Sequence, residues 1–143
     1  MQLTETTKSG TSSGYLSHIP TFLDLITIWL YYLFVEIEFY QTPRKRSPVT
    51  DFIDSQDKRD QIIILSVLEN ITEDGFNAKG CQFRQLEGKL WEIKIKTPSG
   101  GYRLLYVTLQ NDLMFILHGF KKKTQKAPVK ELNVARKRLK EVL

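Results

Sequence analysis

Alternating apolar and polar residues in the second half of the chain predict a small β-sheet. Within residues 90–96, one side carries Trp91, Ile93 and Ile95, and the other carries Glu92, Lys94 and Lys96. A period of two is typical of a strand with one buried face and one face in water. Turn signals at 98–101 and 111–112 predict that residues 102–106 and 113–117 fold back as antiparallel strands.

Apolar residues at helical spacing precede this sheet. Ser47 followed by Pro48 is typical of a helix start, and we expect this short helix to stop near Gln56. Asp57 can cap a second helix, whose broad apolar stripe ends at Gly75. The two helices are expected to form a hairpin over the apolar side of the sheet. Residues 35–40, which alternate, predict a first strand.

Two further segments complete the predicted domain. Residues 76–88 are interpreted as a polar loop that carries Lys79, Arg84 and Lys89 toward the sheet. Pro128 opens a last helix, which has one apolar stripe and an otherwise basic surface. The pattern therefore predicts an α+β domain with a small, mostly antiparallel sheet, an N-terminal helical hairpin and a C-terminal helix.

The first 34 residues differ in composition from the rest of the chain. Residues 1–14 are rich in Ser, Thr and Gly and are predicted to be disordered, whereas residues 22–34 predict an apolar helix. The apolar run is shorter than the roughly 20 residues of a membrane-spanning helix and includes Asp24. Three interpretations stay open: a helix that packs on the domain, an interfacial membrane anchor, or sequence upstream of the true start. We favour an appendage, residues 1–34, outside a domain formed by residues 35–143.

Charge and cysteine content narrow the choice of partner and compartment. The net charge is +5, and residues 121–140 hold nine basic residues against one acid, Glu131. This asymmetry favours a polyanionic partner such as RNA, DNA or an acidic protein segment. The single cysteine, Cys81, excludes an internal disulfide and fits a reducing cytoplasm. No Cys/His cluster or glycine-rich phosphate loop is visible, so we predict neither a metal site nor a cofactor.

The polar side of the predicted sheet suits a phosphodiester. Its three strands bring Lys94 and Arg103 close to the lysines at 121–123. RNA cleavage needs no cofactor, since the ribose 2′-hydroxyl is the nucleophile. Fixed cations can stabilise charge on the phosphate, and lysine can transfer protons when its neighbours lower its pKa.

Three blocks of sequence, in this order, resemble the RelE/HigB toxin superfamily and, more narrowly, its phage-derived HigB-like branch. They are Leu-Trp-Glu-Ile-Lys at 90–94, Tyr-Arg-Leu-Leu-Tyr at 102–106, and Leu-His-Gly-Phe-Lys-Lys-Lys-Thr-Gln-Lys-Ala-Pro at 117–128. The resemblance runs from about residue 35 to the C-terminus. It implies a RelE-like fold and the toxin of a type II toxin–antitoxin system.

The activity that the resemblance implies is metal-independent cleavage of mRNA in the ribosomal A site, which inhibits translation in the cytoplasm. The implied partner is a HigA-like helix-turn-helix antitoxin that forms a heterotetramer with the toxin. Operator DNA would be contacted only through the antitoxin. A membrane partner is not favoured.

The resemblance also assigns catalytic positions. Arg103 falls where the superfamily keeps a phosphate-stabilising arginine, and Lys94 where many members have a catalytic lysine. Glu92 replaces their other strand lysine and is a candidate base or a clamp on Lys94. The basic position after the last strand corresponds to Lys121 or Lys122.

Candidate RNA-binding residues surround these positions: Arg84, His118, Phe120, Lys123 and Lys126. The C-terminal tyrosine of RelE has no counterpart near Ala127, so base stacking would fall to Phe120 or Tyr102. His118, at the end of a buried strand, also suits a structural role. The alternative function is a non-catalytic RNA- or protein-binding module on the same fold, and a third is a membrane-attached regulator.

Overall fold

The computed structural model describes residue 19 and residues 21–33, 35–110, 112–124 and 126–143. The predicted disorder of residues 1–14 lies outside the described residues. The chain divides into two units between Tyr31 and Tyr32. The domain boundary at residue 35 stays a prediction.

A helix, α1, spans Phe22–Leu33 in the region where the apolar run predicts one. Its start is capped by Thr21 and Asp24: the Asp24 amide donates to Thr21 Oγ1 at 3.2 Å and the Thr21 amide to Asp24 Oδ2 at 3.0 Å. Phe22 and Leu23 are largely exposed. Within the described ranges, every helix is too short or too polar to cross a membrane.

The second unit is built on a five-stranded sheet with the order β1-β5-β4-β3-β2. β1 runs parallel to β5, and the other neighbouring pairs are antiparallel. The fold class is therefore the predicted α+β with a mostly antiparallel sheet, consistent with a RelE-like fold. The strands are β1 Glu36–Phe39, β2 Cys81–Glu87, β3 Leu90–Thr97, β4 Gly100–Leu109 and β5 Leu113–Lys122.

Among the described residues of the second unit, three α-helices flank the sheet: α2 Pro48–Asp54, α3 Lys58–Asp74 and α4 Val129–Val142. Both predicted N-caps are confirmed, because the Thr50 amide donates to Ser47 Oγ at 3.3 Å and the Asp60 amide to Asp57 Oδ1 at 3.0 Å. A 3₁₀ turn, Gly75–Asn77, follows α3. Gly75 has a positive φ of 61°, as expected for a glycine that ends a helix.

Each face of the sheet has its own apolar core. On the hairpin face, α2 and α3 bury side chains that include Ile93, Ile95 and Leu104. This confirms the predicted apolar side of β3. On the opposite side, the α4 face, Ala135 of α4 packs in a smaller core with residues such as Leu105. The α4 core covers one end of the face, and polar residues of β3, β4 and β5 occupy the other end.

The predicted polar loop at 76–88 is wrong, because most of it forms β2. Cys81 and Phe83 turn to the hairpin face, and their neighbours Gln82 and Arg84 pair across from Lys94 and Glu92. The segment alternates as a strand should, but it contains few large apolar residues because it lies at the edge of the sheet. β2 therefore brings Arg84 alongside β3 as part of the sheet.

β5 is longer than the predicted strand and contains a bulge. Its register shifts between the pairs Leu105–His118 and Tyr106–Ile116, which accommodates one extra residue. The strand continues through Lys121 and Lys122, which were expected to follow it. These two lysines therefore obey strand alternation, and their side chains point to opposite faces.

Candidate functional site

Cations from three strands line one open groove at the polar end of the α4 face. The groove encloses about 460 Å³ and is lined by Lys94, Lys96, Arg103 and Lys122, together with Gly80, Cys81 and Gln82 of β2 and its approach. Lys94 and Arg103 are direct cross-strand partners. We call this the cationic groove.

A buried carboxylate lies beneath the cationic groove. Glu92 is fully buried, with Oε1 2.9 Å from Arg84 Nε and Oε2 3.5 Å from Arg103 Nε. Neither oxygen receives a well-aligned hydrogen bond from the described residues. The predicted clamp on Lys94 is therefore a clamp on two arginines. A carboxylate enclosed in this way presents no exposed oxygen to a substrate hydroxyl.

Two cations of the groove, Arg103 and Lys122, have a pKa that their surroundings lower. Burial lowers the pKa of Arg103, while the charge of Glu92 raises it; an arginine remains charged in either case. The pKa of Lys122 is lowered by desolvation and then by the positive charges of Arg103 and Lys94. A lysine with a lowered pKa is better suited to proton transfer than an ordinary surface lysine.

Lys121 lies on the hairpin face, away from the cationic groove. Its Nζ donates to Ser99 Oγ at 3.0 Å, lies 4.0 Å from Asp60 Oδ2, and is 5.4 Å from the centroid of the Tyr102 ring. Strand alternation therefore decides between the two lysines, and Lys122 is the one that lines the groove. The suggested stacking role of Tyr102 is wrong, because its side chain is fully buried and its hydroxyl donates to Asp60 Oδ2 at 2.5 Å.

The chain matches a protein-family model. The model of the phage-derived protein Gp49-like family (DUF891) matches residues 51–140, which is more than half of the chain. The chain belongs to this family. The Gp49-like family is phage-derived and toxin-like, related to the toxins of toxin–antitoxin systems. A search of curated proteins gives no match.

The matched region of this Gp49-like chain contains all the candidate RNA-binding residues, but they do not lie together. Arg84 pairs with the buried Glu92, and half of its side chain is exposed. Lys123 and Lys126 are exposed beyond the end of β5. Phe120 is 6% exposed, so its ring offers little surface to a base.

His118 connects β5 to α4. Its Nε2 contacts the Glu131 carboxylate, and Arg138 Nη1 lies 3.3 Å from its Nδ1. Burial lowers the pKa of His118, opposed by the hydrogen bond to Glu131. The neutral ring can accept from Arg138 and donate to Glu131, which is an arrangement that docks the helix.

Sequence reasoning missed four lining residues of the groove: Lys96, Gln82, Cys81 and Gly80. Lys96 shares the polar side of β3 with Glu92 and Lys94, so the alternation of residues 90–96 already indicates that its side chain lies on the groove side. Gln82 was missed together with β2, whose register pairs it with Lys94. The described residues contain no group of His, Cys, Asp or Glu that could hold a metal ion. The arrangement can bind and polarise a phosphate through side-chain cations.

Proposed function

We propose that this Gp49-like protein is the toxin of a type II toxin–antitoxin system, of the HigB-like branch of the RelE superfamily, and that it cleaves mRNA. The observation that carries the proposal is the convergence of Arg103, Lys94 and Lys122 on one open groove. Three cations from three strands of one sheet are held in place before a phosphate binds. Stabilisation of transition-state charge by such preorganised groups is usually the largest single contribution to catalysis.

The proposed reaction is attack of a ribose 2′-oxygen on the adjacent phosphorus, with loss of the 2′-hydroxyl proton to water in the open groove. The bond to the 5′-oxygen of the next nucleotide breaks, which leaves a 2′,3′-cyclic phosphate. Arg103 and Lys94 hold the phosphate and stabilise its growing charge. Lys122 donates a proton to the leaving 5′-oxygen, which its lowered pKa favours. Glu92 holds Arg103 and Arg84 in place from below.

The surroundings of the groove support action on the ribosome. The groove is open and forms no channel for a strand, which is consistent with alignment of the mRNA by the ribosome. Exposed lysines beyond β5 and on α4, such as Lys123, Lys126 and Lys137, could contact ribosomal RNA. We further propose that a HigA-like helix-turn-helix antitoxin neutralises the toxin in a heterotetramer. The antitoxin contacts the operator DNA, and the complex thereby represses its own operon.

Two adjacent lysines give a matched test. The full chain is induced in a bacterial host, growth is followed, and transcript ends are mapped by primer extension. Lys122→Gln should abolish growth arrest and cleavage, whereas Lys121→Gln should retain both, because Lys121 lies on the other face. Lys122→Arg should retain RNA binding but lose most cleavage, since an arginine does not release its proton.

The alternative is a non-catalytic RNA- or protein-binding module. Intact chain that neither arrests growth nor produces in-frame cuts within translated regions would favour that module. Equal loss of activity in Lys121→Gln and Lys122→Gln, with both variants folded by circular dichroism, would contradict the assignment of the groove.

A further inference from the structure

β2 forms an open edge between two chemically different surfaces. In the part of the chain that the structure describes, β2 pairs only with β3. On the α4 face, the cationic groove reaches Cys81 and Gln82. A second groove, on the hairpin face, reaches the same two residues. We call it the aromatic groove.

The aromatic groove encloses about 680 Å³ and is lined by Phe76, Cys81, Gln82, Phe83, Trp91, Tyr106 and Thr108. The Phe83 ring meets the rings of Phe76 and Tyr106 edge to face, with centroids 5.2 Å and 6.2 Å away. Phe76 is 54% exposed, although it stands among apolar neighbours. The Tyr106 hydroxyl is buried and lacks a hydrogen-bond partner in the described structure. The groove therefore offers apolar surface and one unused polar atom.

An unpaired edge strand exposes backbone donors and acceptors that can accept another strand. In an added strand, successive side chains would point to opposite faces of the sheet. One set would lie over the aromatic groove and the alternate set over the cationic groove. The edge therefore favours a partner strand in which two chemically different kinds of residue alternate.

We propose that β2 is the docking edge for an extended segment of a partner protein in which apolar or aromatic residues alternate with Asp or Glu. The apolar side chains fill the aromatic groove, and the carboxylates pair with Lys94, Lys96 and Lys122. Under the proposed function, which this inference extends, the segment belongs to the antitoxin and its carboxylates replace the scissile phosphate.

A protein strand fits the two surfaces better than RNA does. A nucleic acid could place phosphates in the cationic groove, but its backbone cannot extend the hydrogen-bond ladder of β2. Side chains of one polypeptide strand reach both faces of the edge without a bend. Opposite charge across the cationic groove also fixes which face receives the acidic residues.

The test uses the full chain and a short synthetic peptide in which Glu alternates with Leu and Phe, labelled for fluorescence anisotropy. One control peptide has the same composition with its Glu residues grouped together. Two others carry N-methyl groups on alternate amides, on one backbone edge or the other. Strand addition predicts that the alternating peptide binds, that the grouped one does not, and that methylation of one edge alone abolishes binding.

Protein variants locate the docking edge. Phe76→Ser should weaken peptide binding about tenfold or more. Its control is Ile62→Ser, since Ile62 is equally exposed on α3 but lies outside the aromatic groove. Lys96→Gln should weaken binding less and reduce its dependence on salt. A uridine oligonucleotide should bind Phe76→Ser as it binds the unaltered chain.

Several results would overturn the inference. They are equal binding of the grouped peptide, retained binding by both methylated peptides, or loss of oligonucleotide but not peptide binding in Phe76→Ser. These measurements need no RNA cleavage. Peptide binding by a chain that cuts no RNA would reject the proposed function alone, and cleavage without peptide binding would reject only this inference.

Discussion

Removing Arg103 should destabilise the fold because it leaves a buried charge behind. Glu92 is fully buried, and Arg103 and Arg84 are its ion-pair partners among the described residues. Breaking a buried ion pair by removing one partner costs about 3–5 kcal/mol. Arg84 remains 2.9 Å away in Arg103→Ala, so we expect a loss of about 2–4 kcal/mol in the free energy of unfolding. That is a large part of the roughly 5–15 kcal/mol that holds a small domain folded.

A second substitution should recover much of this loss. Glu92→Gln removes the buried charge, so Arg103→Ala in that background no longer leaves an uncompensated carboxylate. We expect the double variant to be more stable than the sum of the single losses, with a coupling of about 1–3 kcal/mol. Urea unfolding followed by far-ultraviolet circular dichroism measures all four proteins, and unchanged m values would support two-state behaviour.

The reasoning is refuted if the two single losses in the free energy of unfolding add up to that of the double variant within about 0.5 kcal/mol. The cost of Arg103→Ala would then not depend on the charge of Glu92. The result also bears on activity. Loss of growth arrest in Arg103→Ala alone can reflect unfolding, whereas loss in a folded double variant isolates the missing phosphate contact. Arg103→Lys, which keeps the charge but not the planar guanidinium, completes the series.

Three further outcomes follow from the packing and the pKa shifts. Gly119→Ala should cost about 1–3 kcal/mol in urea unfolding, because its new Cβ would lie 2.9 Å from Leu104 Cδ2; an unchanged midpoint would contradict this packing. The pKa of His118 is lowered by burial, so the stability it contributes should be full above about pH 6.5 and fall as pH drops below it. His118→Gln should flatten that pH dependence. The pKa of Asp60 is lowered chiefly by its hydrogen bonds from Ser99 and Tyr102, so its contribution should be lost as pH falls below about 4. Acid titration of Asp60→Asn by circular dichroism should lack this step.

The parts of the site that could be predicted from the sequence are those fixed by local rules. Alternation in β3 and the turn at 98–101 place Lys94 opposite Arg103, and the structure has this pair in register. The two helix starts were also predictable, because Ser47 and Asp57 are capping residues whose partners are a few positions away.

The parts that could not be predicted depend on tertiary context. β2 alternates, but an edge strand needs few large apolar residues, so its segment reads as a polar loop. The burial of Glu92 follows from two arginines on neighbouring strands, Arg84 and Arg103, whose proximity requires the register of β2. Alternation alone predicts that Glu92 faces water, whereas side chains of the neighbouring strands enclose it.

The choice between Lys121 and Lys122 shows how the fold assigns a role that identical neighbouring residues leave open. Asp60 is buried beneath the hairpin face, where Ser99 and Tyr102 donate to it, and Lys121 approaches the same carboxylate. The backbone ladder with β4 holds the end of β5, where Lys121 pairs with Tyr102 and Lys122 with Gly101. Because successive strand residues point to opposite faces, the same register puts Lys121 beside Asp60 and directs Lys122 into the cationic groove. The register of β5, rather than the side-chain contacts of Lys121, thus positions the lysine to which we assign the chemistry.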